Sequence, residues 1–327
     1  MSRKHILVTG GCGFLGSHFI NTLFLEEQDV RVINMDALYY SANISNVQKH
    51  IRDSKDYTFI HGNIRDYPIV IQTLRTFDID VVVHFAAQTN VDNSFINPDK
   101  YMADNVQGTH TLLEACRSYG NIKQFIYIST CEVYKESLFS DDEKRTDQSL
   151  LCPMNPYAAT KASAEMLVQS YFYSYHMPIY ITRITNVYGP NQYPEKLIPK
   201  FIKLLKDDSP VPIYGDGTHE RGYLHVYDVI QGILCILEKG VIGEIYNIGC
   251  EPQDEYTVME IAKGLIMMIK RLHREDDEPK VMEYIEYVED RPVNGKRYLL
   301  DNQKIKDLGW SITVSFIDGI TDLVQSM

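Results

Sequence analysis

Basic charge is what this chain has least of. Its 32 Lys and Arg are outnumbered by 44 Asp and Glu, a formal net charge of -12 at pH 7. Binding to a nucleic-acid backbone needs a positive field, so no nucleic-acid partner is expected. A small phosphorylated ligand remains open, because a few placed arginines can hold one. Paired cysteines are also missing. The six, at 12, 116, 131, 152, 235 and 250, form no CxxC and no zinc-like cluster. No metal site is expected, and the thiols read as reduced, in a cytoplasmic compartment. No stretch approaches the roughly 18 apolar residues of a membrane span. The apolar run after His5 is too short for a signal peptide, so no membrane partner is expected. Internal repeats and low-complexity segments are absent as well.

What is present is an ordinary globular composition, 44% hydrophobic over 327 residues, enough for two domains or one large α/β domain. Short β-type runs recur at 6–9, 30–35, 57–60, 80–85, 123–129 and 178–183, with helical patterns at about 13–27, 66–76, 98–119 and 155–176. Near-continuous apolar strands separated by helices predict a parallel sheet covered on both faces. The fold class is therefore α/β, a Rossmann-type doubly wound sheet. After Gly189-Pro190, Gly, Pro and Asp punctuate 189–222 and 272–297, which predicts a smaller mixed α/β substrate-binding lobe. Residues 224–226, a helix over 228–237 and a strand over 245–248 are expected to return to the main sheet. The division that follows is 1–186 with about 224–249 for the first domain, and about 187–223 with 250–327 for the second. Residues 136–153 read as a surface excursion and Arg271–Lys280 as a solvated loop.

Function starts at the first turn. The run Ile6–Thr9 feeds Gly10-Gly11-Cys12-Gly13-Phe14-Leu15-Gly16 and then a helical pattern. Glycines at this spacing make a tight turn and let the backbone approach a pyrophosphate at a helix N-terminus. Asp36 closes the second strand twenty residues after Gly16, where an acid holds an adenosine ribose and favours NAD over NADP.

Tyr157 and Lys161 stand one helical turn apart and project from one face. Asn155 and Pro156 supply an N-cap and a first-turn residue. An ammonium beside the phenol is expected to lower its pKa toward that of a useful base. Ser129-Thr130-Cys131-Glu132-Val133-Tyr134 ends the fifth strand at the sheet edge where ligands bind, which puts the Glu132 carboxylate over the same crevice. His84, inside an apolar strand, reads as a packed core residue. With 23 tyrosines in the chain, no other single tyrosine is given a role.

These motifs, with Phe85-Ala86-Ala87-Gln88-Thr89, Thr185–Pro190, Glu195-Lys196-Leu197-Ile198-Pro199, Arg221, Tyr246–Gly249 and Asp290-Arg291-Pro292, resemble the nucleotide-sugar 4,6-dehydratases of the extended short-chain dehydrogenase/reductase superfamily. The resemblance spans essentially the whole chain. It implies dehydration of UDP-glucose or dTDP-glucose to the 4-keto-6-deoxy sugar, with rhamnose supply as the expected use. Tyr157, helped by Lys161 and Thr130, would take the C4 hydroxyl proton while NAD accepts hydride. Glu132 would remove the acidified C5 proton as the C6 hydroxyl leaves, and the hydride would return to C6. By the same resemblance Gly10, Gly13, Phe14, Leu15, Gly16, Asp36, Asn63, Ile64 and Phe85, Ala86, Ala87, Gln88 would line NAD. Thr89, Asn186, Lys196, Leu197, Arg221, Asn247 and Arg291 would hold the sugar nucleotide, with arginine forks suited to a diphosphate. Helices 98–119 and 155–176 would pair across a homodimer.

One position departs from the pattern. The family carries Asp, the acid to the leaving hydroxyl, where this chain has Cys131. A thiol with a pKa near ~8.5 is the weaker acid, and loss of a general acid slows a step by ~10²–10⁴-fold. Asn63 likewise replaces an aspartate, and Lys135 a glycine. Two other readings stay open. A UDP-sugar 4-epimerase would use the same Tyr/Lys pair without needing Glu132, and a non-catalytic NAD-binding sensor would have kept the fold without the chemistry.

Overall fold

The computed structural model of the chain describes residues 3–26, 29–136, 144–272 and 277–327. Twelve strands are present among them: β1 (Lys4–Thr9), β2 (Val30–Asp36), β3 (Tyr57–His61), β4 (Val81–His84), β5 (Gln124–Thr130), β6 (Ile179–Ile184), β7 (Asn186–Tyr188), β8 (Val211–Tyr214), β9 (Glu220–His225), β10 (Ile245–Ile248), β11 (Glu255–Thr257) and β12 (Ile285–Val288). Seven form one sheet in the order β10-β6-β5-β4-β1-β2-β3, with every pairing parallel. The chain runs outward from β1 to β3, then crosses to β4 on the other side of β1. That reversal leaves a crevice beyond the carboxyl ends of β1 and β4, where open α/β sheets take ligands.

The strands are buried on both faces because their side chains alternate into two cores. Ile6, Val8, Val32, Val83 and Ile128 pack with Phe19 and Ile20 from helix Phe14–Leu25 and Val229 and Ile233 from helix Val226–Lys239. Leu7, Ile33, Val82, Phe125 and Ile181 point the other way, against Leu74, Leu112 and Val168. Each such side chain contributes about 1.5–3 kcal/mol by leaving water. A third core lies beneath the small sheets, with Ile198, Ile202, Ile213 and Ile261 at its centre.

Three expectations change. Leu224 and His225 do not rejoin the main sheet: β9 pairs with β7 in parallel and with β11 antiparallel, making a separate three-stranded sheet. The return is made by helix Val226–Lys239 and by β10, which pairs with β6. The 98–119 helix is continuous but carries a π-helical turn at Met102–Gln107, between Pro98–Tyr101 and Gly108–Tyr119. Its extra residue buries two neighbours, Asp104 and Asn105, at once. The third change is that Glu278–Glu283 is a helix anchored by buried Val281, so the loop expected over 271–280 ends earlier. Of that loop, 273–276 lie outside the described residues, as do 137–143 of the expected surface excursion. The rest of the excursion is tied down, with Tyr134 bridged to Leu151 and Arg145 to Leu300.

Candidate functional site

The turn after β1 is shaped by two glycines. Gly10 sits at φ +72°, and a Cβ there would lie 2.7 Å from the Ala86 nitrogen; on Gly16 it would lie 2.4 Å from the Gly10 carbonyl oxygen. Both neighbours are backbone, so only glycine fits. Helix Phe14–Leu25 then starts from Gly13 with no side chain capping it, which leaves first-turn N–H groups directed at the cleft for an anion. Asp36, at the carboxyl end of β2, accepts from Cys12 N at 2.9 Å and Leu38 N at 2.7 Å. Burial raises its pKa and those two N–H groups hold it down.

Beyond β4, the chain from Phe85 to Thr89 is fixed by the π-helical turn. Asn105 accepts from Gln88 N at 2.7 Å and donates to Gln88 O at 3.0 Å and to Thr160 Oγ1 at 3.0 Å. Asp104 accepts from Gln88 Nε2 at 2.8 Å. His84 is a core residue, as expected: its ring nitrogens meet Thr9 Oγ1 at 2.7 Å and Thr109 Oγ1 at 2.9 Å. Burial, then the Lys161 charge, pushes its pKa down to about 3.

Beyond β5 a single 3-10 turn, Cys131–Val133, presents Thr130, Cys131 and Glu132. Glu132 Oε2 accepts from Asn155 Nδ2 at 2.8 Å. The same Asn155 caps helix Pro156–Tyr175 by accepting from Ala158 N at 2.8 Å. Tyr157 and Lys161 follow on that helix, both buried. Lys161 Nζ donates to Ile128 O at 2.6 Å and lies 4.2 Å from the centre of the Tyr127 ring. Burial pushes its pKa down to about 7, with Glu165 acting the other way. The expectation for Tyr157 reverses in the protein alone. Burial, then the Glu132 charge, holds its phenol well above the ordinary range, and only the Thr130 hydroxyl opposes them. Cys131 is likewise pushed up to about 12, by burial and then Glu132.

All the candidate residues but one line a single cleft between the main sheet and the smaller lobe. Lys196 Nζ donates to Thr89 O at 2.7 Å, and Arg291 pairs with Asp92 at 2.6 Å across the cleft. Arg221 donates to Asn294 Oδ1 at 2.8 Å. Asn186 and Leu197 lie on the same wall, while Asn63 lines the opposite end and donates to Tyr39 OH at 2.9 Å. The exception is Asn247, which is buried behind the wall. It accepts from Tyr134 OH at 2.8 Å and donates to Arg145 O at 2.8 Å, so its amide is consumed inside the fold.

Sequence reasoning missed three features of the site. Asn155 was read as a cap only, and nothing in the local pattern tells that its other end reaches Glu132. Asn105 depends on a π-turn that helical periodicity does not announce. Tyr298, passed over among many tyrosines, lines the cleft and packs with Cys131, Val133 and Tyr134.

The model of the GDP-mannose 4,6 dehydratase family matches residues 7–323. A trifunctional UDP-glucose 4,6-dehydratase/UDP-4-keto-6-deoxy-D-glucose 3,5-epimerase/UDP-4-keto-L-rhamnose-reductase of Arabidopsis thaliana is 43% identical over 317 residues, 97% of this chain and 46% of that protein. The chain thus spans just under half the length of that plant relative. The dTDP-D-glucose 4,6-dehydratase of Homo sapiens is 43% identical over 98% of this chain and 89% of its own length. Among solved structures, a dTDP-glucose 4,6-dehydratase from Streptomyces venezuelae with NAD bound superposes with a TM-score of 0.90 at 36% identity, covering 98% of this chain and 96% of that one.

Proposed function

Since this chain belongs to the GDP-mannose 4,6-dehydratase family, we propose that it is a hydro-lyase that uses NAD to convert UDP-glucose or dTDP-glucose to the 4-keto-6-deoxy sugar. The observation that carries this reading is the Asn155-anchored Glu132 carboxylate in one cleft with Tyr157 and Lys161. An epimerase acting at C4 has no use for a carboxylate held there. The glycine turn, the uncapped helix start and Asp36 fit NAD. Held by these residues, NAD would supply a hydride acceptor at C4 and a hydride donor at C6, recycled within each turnover.

The chain's own residues handle protons and position. Tyr157 accepts the C4 hydroxyl proton as a phenolate, with Thr130 and Lys161 as its neighbours. Burial and Glu132 favour the phenol in the protein alone, and the positive nicotinamide of bound NAD would shift it toward the phenolate. Oxidation at C4 acidifies the C5 hydrogen, and Glu132 takes that proton as the C6 hydroxyl departs. Lys196, Arg221 and Arg291 serve the diphosphate. Their present partners, Thr89 O and Asp92 among them, must be exchanged for phosphate oxygens on binding. Cys131 offers only an S–H, a weak hydrogen-bond donor to the leaving oxygen, where the family places a carboxylic acid.

The division of the chain into 1–186 with about 224–249 and about 187–223 with 250–327 is part of the same reading, with β10 returning to the main sheet in its support. So is a homodimer built on the 98–119 and 155–176 helices. Six unpaired thiols support a reducing, cytoplasmic setting, and among the described residues no helix is long and apolar enough to cross a membrane. Rhamnose supply is the use that suits the product.

The test is mass spectrometry of the product after incubation with UDP-glucose and dTDP-glucose separately. Loss of one water from either donor is expected. A product of unchanged mass with the C4 centre inverted would replace this reading with epimerisation. Recovery of both donors untouched would leave a binding protein.

A further inference from the structure

If the dehydratase reading holds, the departing C6 hydroxyl needs a proton, and the family's aspartate is not there to give it. Thr130 is taken up beside Tyr157, and another O–H near that position belongs to Tyr298. It belongs to one apolar cluster with Cys131, Val133, Tyr134 and Leu300. It is 8% exposed, yet it lines the cleft with Cys131, Glu132 and Arg221. The backbone that follows is pinned on Arg145, which donates from N to Leu299 O at 2.7 Å and accepts from Asp301 N at 3.0 Å. The hydroxyl lies against Gly295, where a Cβ would come within 2.3 Å of the phenolic oxygen, so the glycine makes the space it occupies. Among the described residues the Tyr298 hydroxyl has no hydrogen-bond partner, and its oxygen is not sealed from the cleft.

We propose that Tyr298 is the acid of the elimination, donating its phenolic proton to the C6 oxygen as that oxygen leaves. The step balances. The C5–H electron pair becomes the C5–C6 double bond, the C6–O pair leaves with oxygen, Glu132 holds the C5 proton, and oxygen takes the Tyr298 proton to become water. Glu132 later returns its proton to C5. The phenolate recovers one from solvent, matching the C4 hydroxyl proton that Tyr157 releases. Burial and the Glu132 charge keep the phenol protonated beforehand, and Arg221 faces the phenolate afterwards. A thiol is the weaker donor to oxygen of the two groups at hand.

The experiment follows cofactor reduction and water release separately, in wild type, Tyr298→Phe and Tyr298→Phe with Cys131→Asp, using whichever donor the wild type dehydrates. With Tyr298→Phe, reduced nicotinamide should form at the wild-type rate while water release falls about 10²-fold. Adding Cys131→Asp should restore most of the loss. Gly295→Ala, which crowds the hydroxyl out while keeping the phenol, should show the same split and covers the case in which Tyr298→Phe fails to fold. Water release at the wild-type rate in Tyr298→Phe overturns the proposal. So does an equal loss of cofactor reduction and water release in folded protein, which would mark a structural role. If the wild type releases no water from either donor, the dehydratase reading fails first and the proposal falls with it.

Discussion

Asn155 ties Glu132 to the helix that carries Tyr157, donating from Nδ2 to Glu132 Oε2 while its Oδ1 accepts from Ala158 N, both at 2.8 Å. One side chain therefore sets the distance between the two groups assigned to C4 and C5. Asn155→Ser separates its two jobs, because serine caps a helix about as well as asparagine but has no amide to reach the carboxylate. A hydrogen bond to a charged group is worth about 1.5–3 kcal/mol, so C5 proton removal should slow about 10–100-fold. Cofactor reduction and the melting temperature should hardly move. Rapid-mixing measurement of both steps checks this, and a loss confined to the first step would show that Glu132 does not depend on Asn155.

Behind the same turn lies a buried ion pair. Arg183 and Glu165 are 3% and 0% exposed, with Arg183 Nε donating to Glu165 Oε1 at 3.1 Å. Glu165 also accepts from Ser129 Oγ at 2.8 Å, and Arg183 Nη1 donates to Tyr134 OH at 2.6 Å. Ser129 and Tyr134 bracket the segment that presents Thr130 to Glu132. Removing one partner leaves an uncompensated buried charge, at a loss of about 3–5 kcal/mol. Glu165→Gln should lower unfolding free energy in urea by that amount. Glu165→Leu with Arg183→Met, which removes both charges, should lose less than Glu165→Gln alone.

The contrast between these two networks explains what could be read in advance. The glycine turn, Asp36, Tyr157/Lys161 and Glu132 are local patterns whose geometry follows from strand, turn and helix, and all of them line the cleft. Asn247 was misplaced because its segment does lie near the site, but its amide is claimed by Tyr134 and Arg145, more than a hundred residues away in sequence. Asn105, Tyr298 and the second role of Asn155 are also long-range. No periodicity encodes which buried polar groups will find each other once the sheet closes. The small sheet around β9 escaped for a similar reason: a six-residue strand carries no label for the sheet it joins.

Lys161 gives the protein a pH dependence of definite sign. Its folded pKa is pushed down to about 7, mainly by burial, against ~10.4 in an unfolded chain. Between those values the unfolded state binds the extra proton, so stability rises with pH across that window. Below about 7 both states are protonated and the burial penalty is present in full. Lys161→Met removes the group. The variant-minus-wild-type difference in unfolding free energy should favour the variant most below pH 7 and shrink steadily toward pH 10. Urea titrations at several pH values measure it, and a difference that stays flat across the window would mean that Lys161 is charged throughout in the folded protein.

The two helices assigned to the dimer leave apolar side chains in water. Met102 and Met166 are 51% and 58% exposed, and Ala103, Val106 and Leu167 line a shallow groove between the helices. A monomer gains nothing from methionines displayed on adjoining helices, whereas a second copy packed there would bury them from both sides. Sedimentation equilibrium should give twice the chain mass for wild type. Met102→Glu with Leu167→Glu places two carboxylates per chain in the proposed contact, where their burial is unfavourable, and should yield single chains with unchanged helix content by circular dichroism. Wild type sedimenting as one chain, or a charged variant that still pairs, would move the interface elsewhere or remove it.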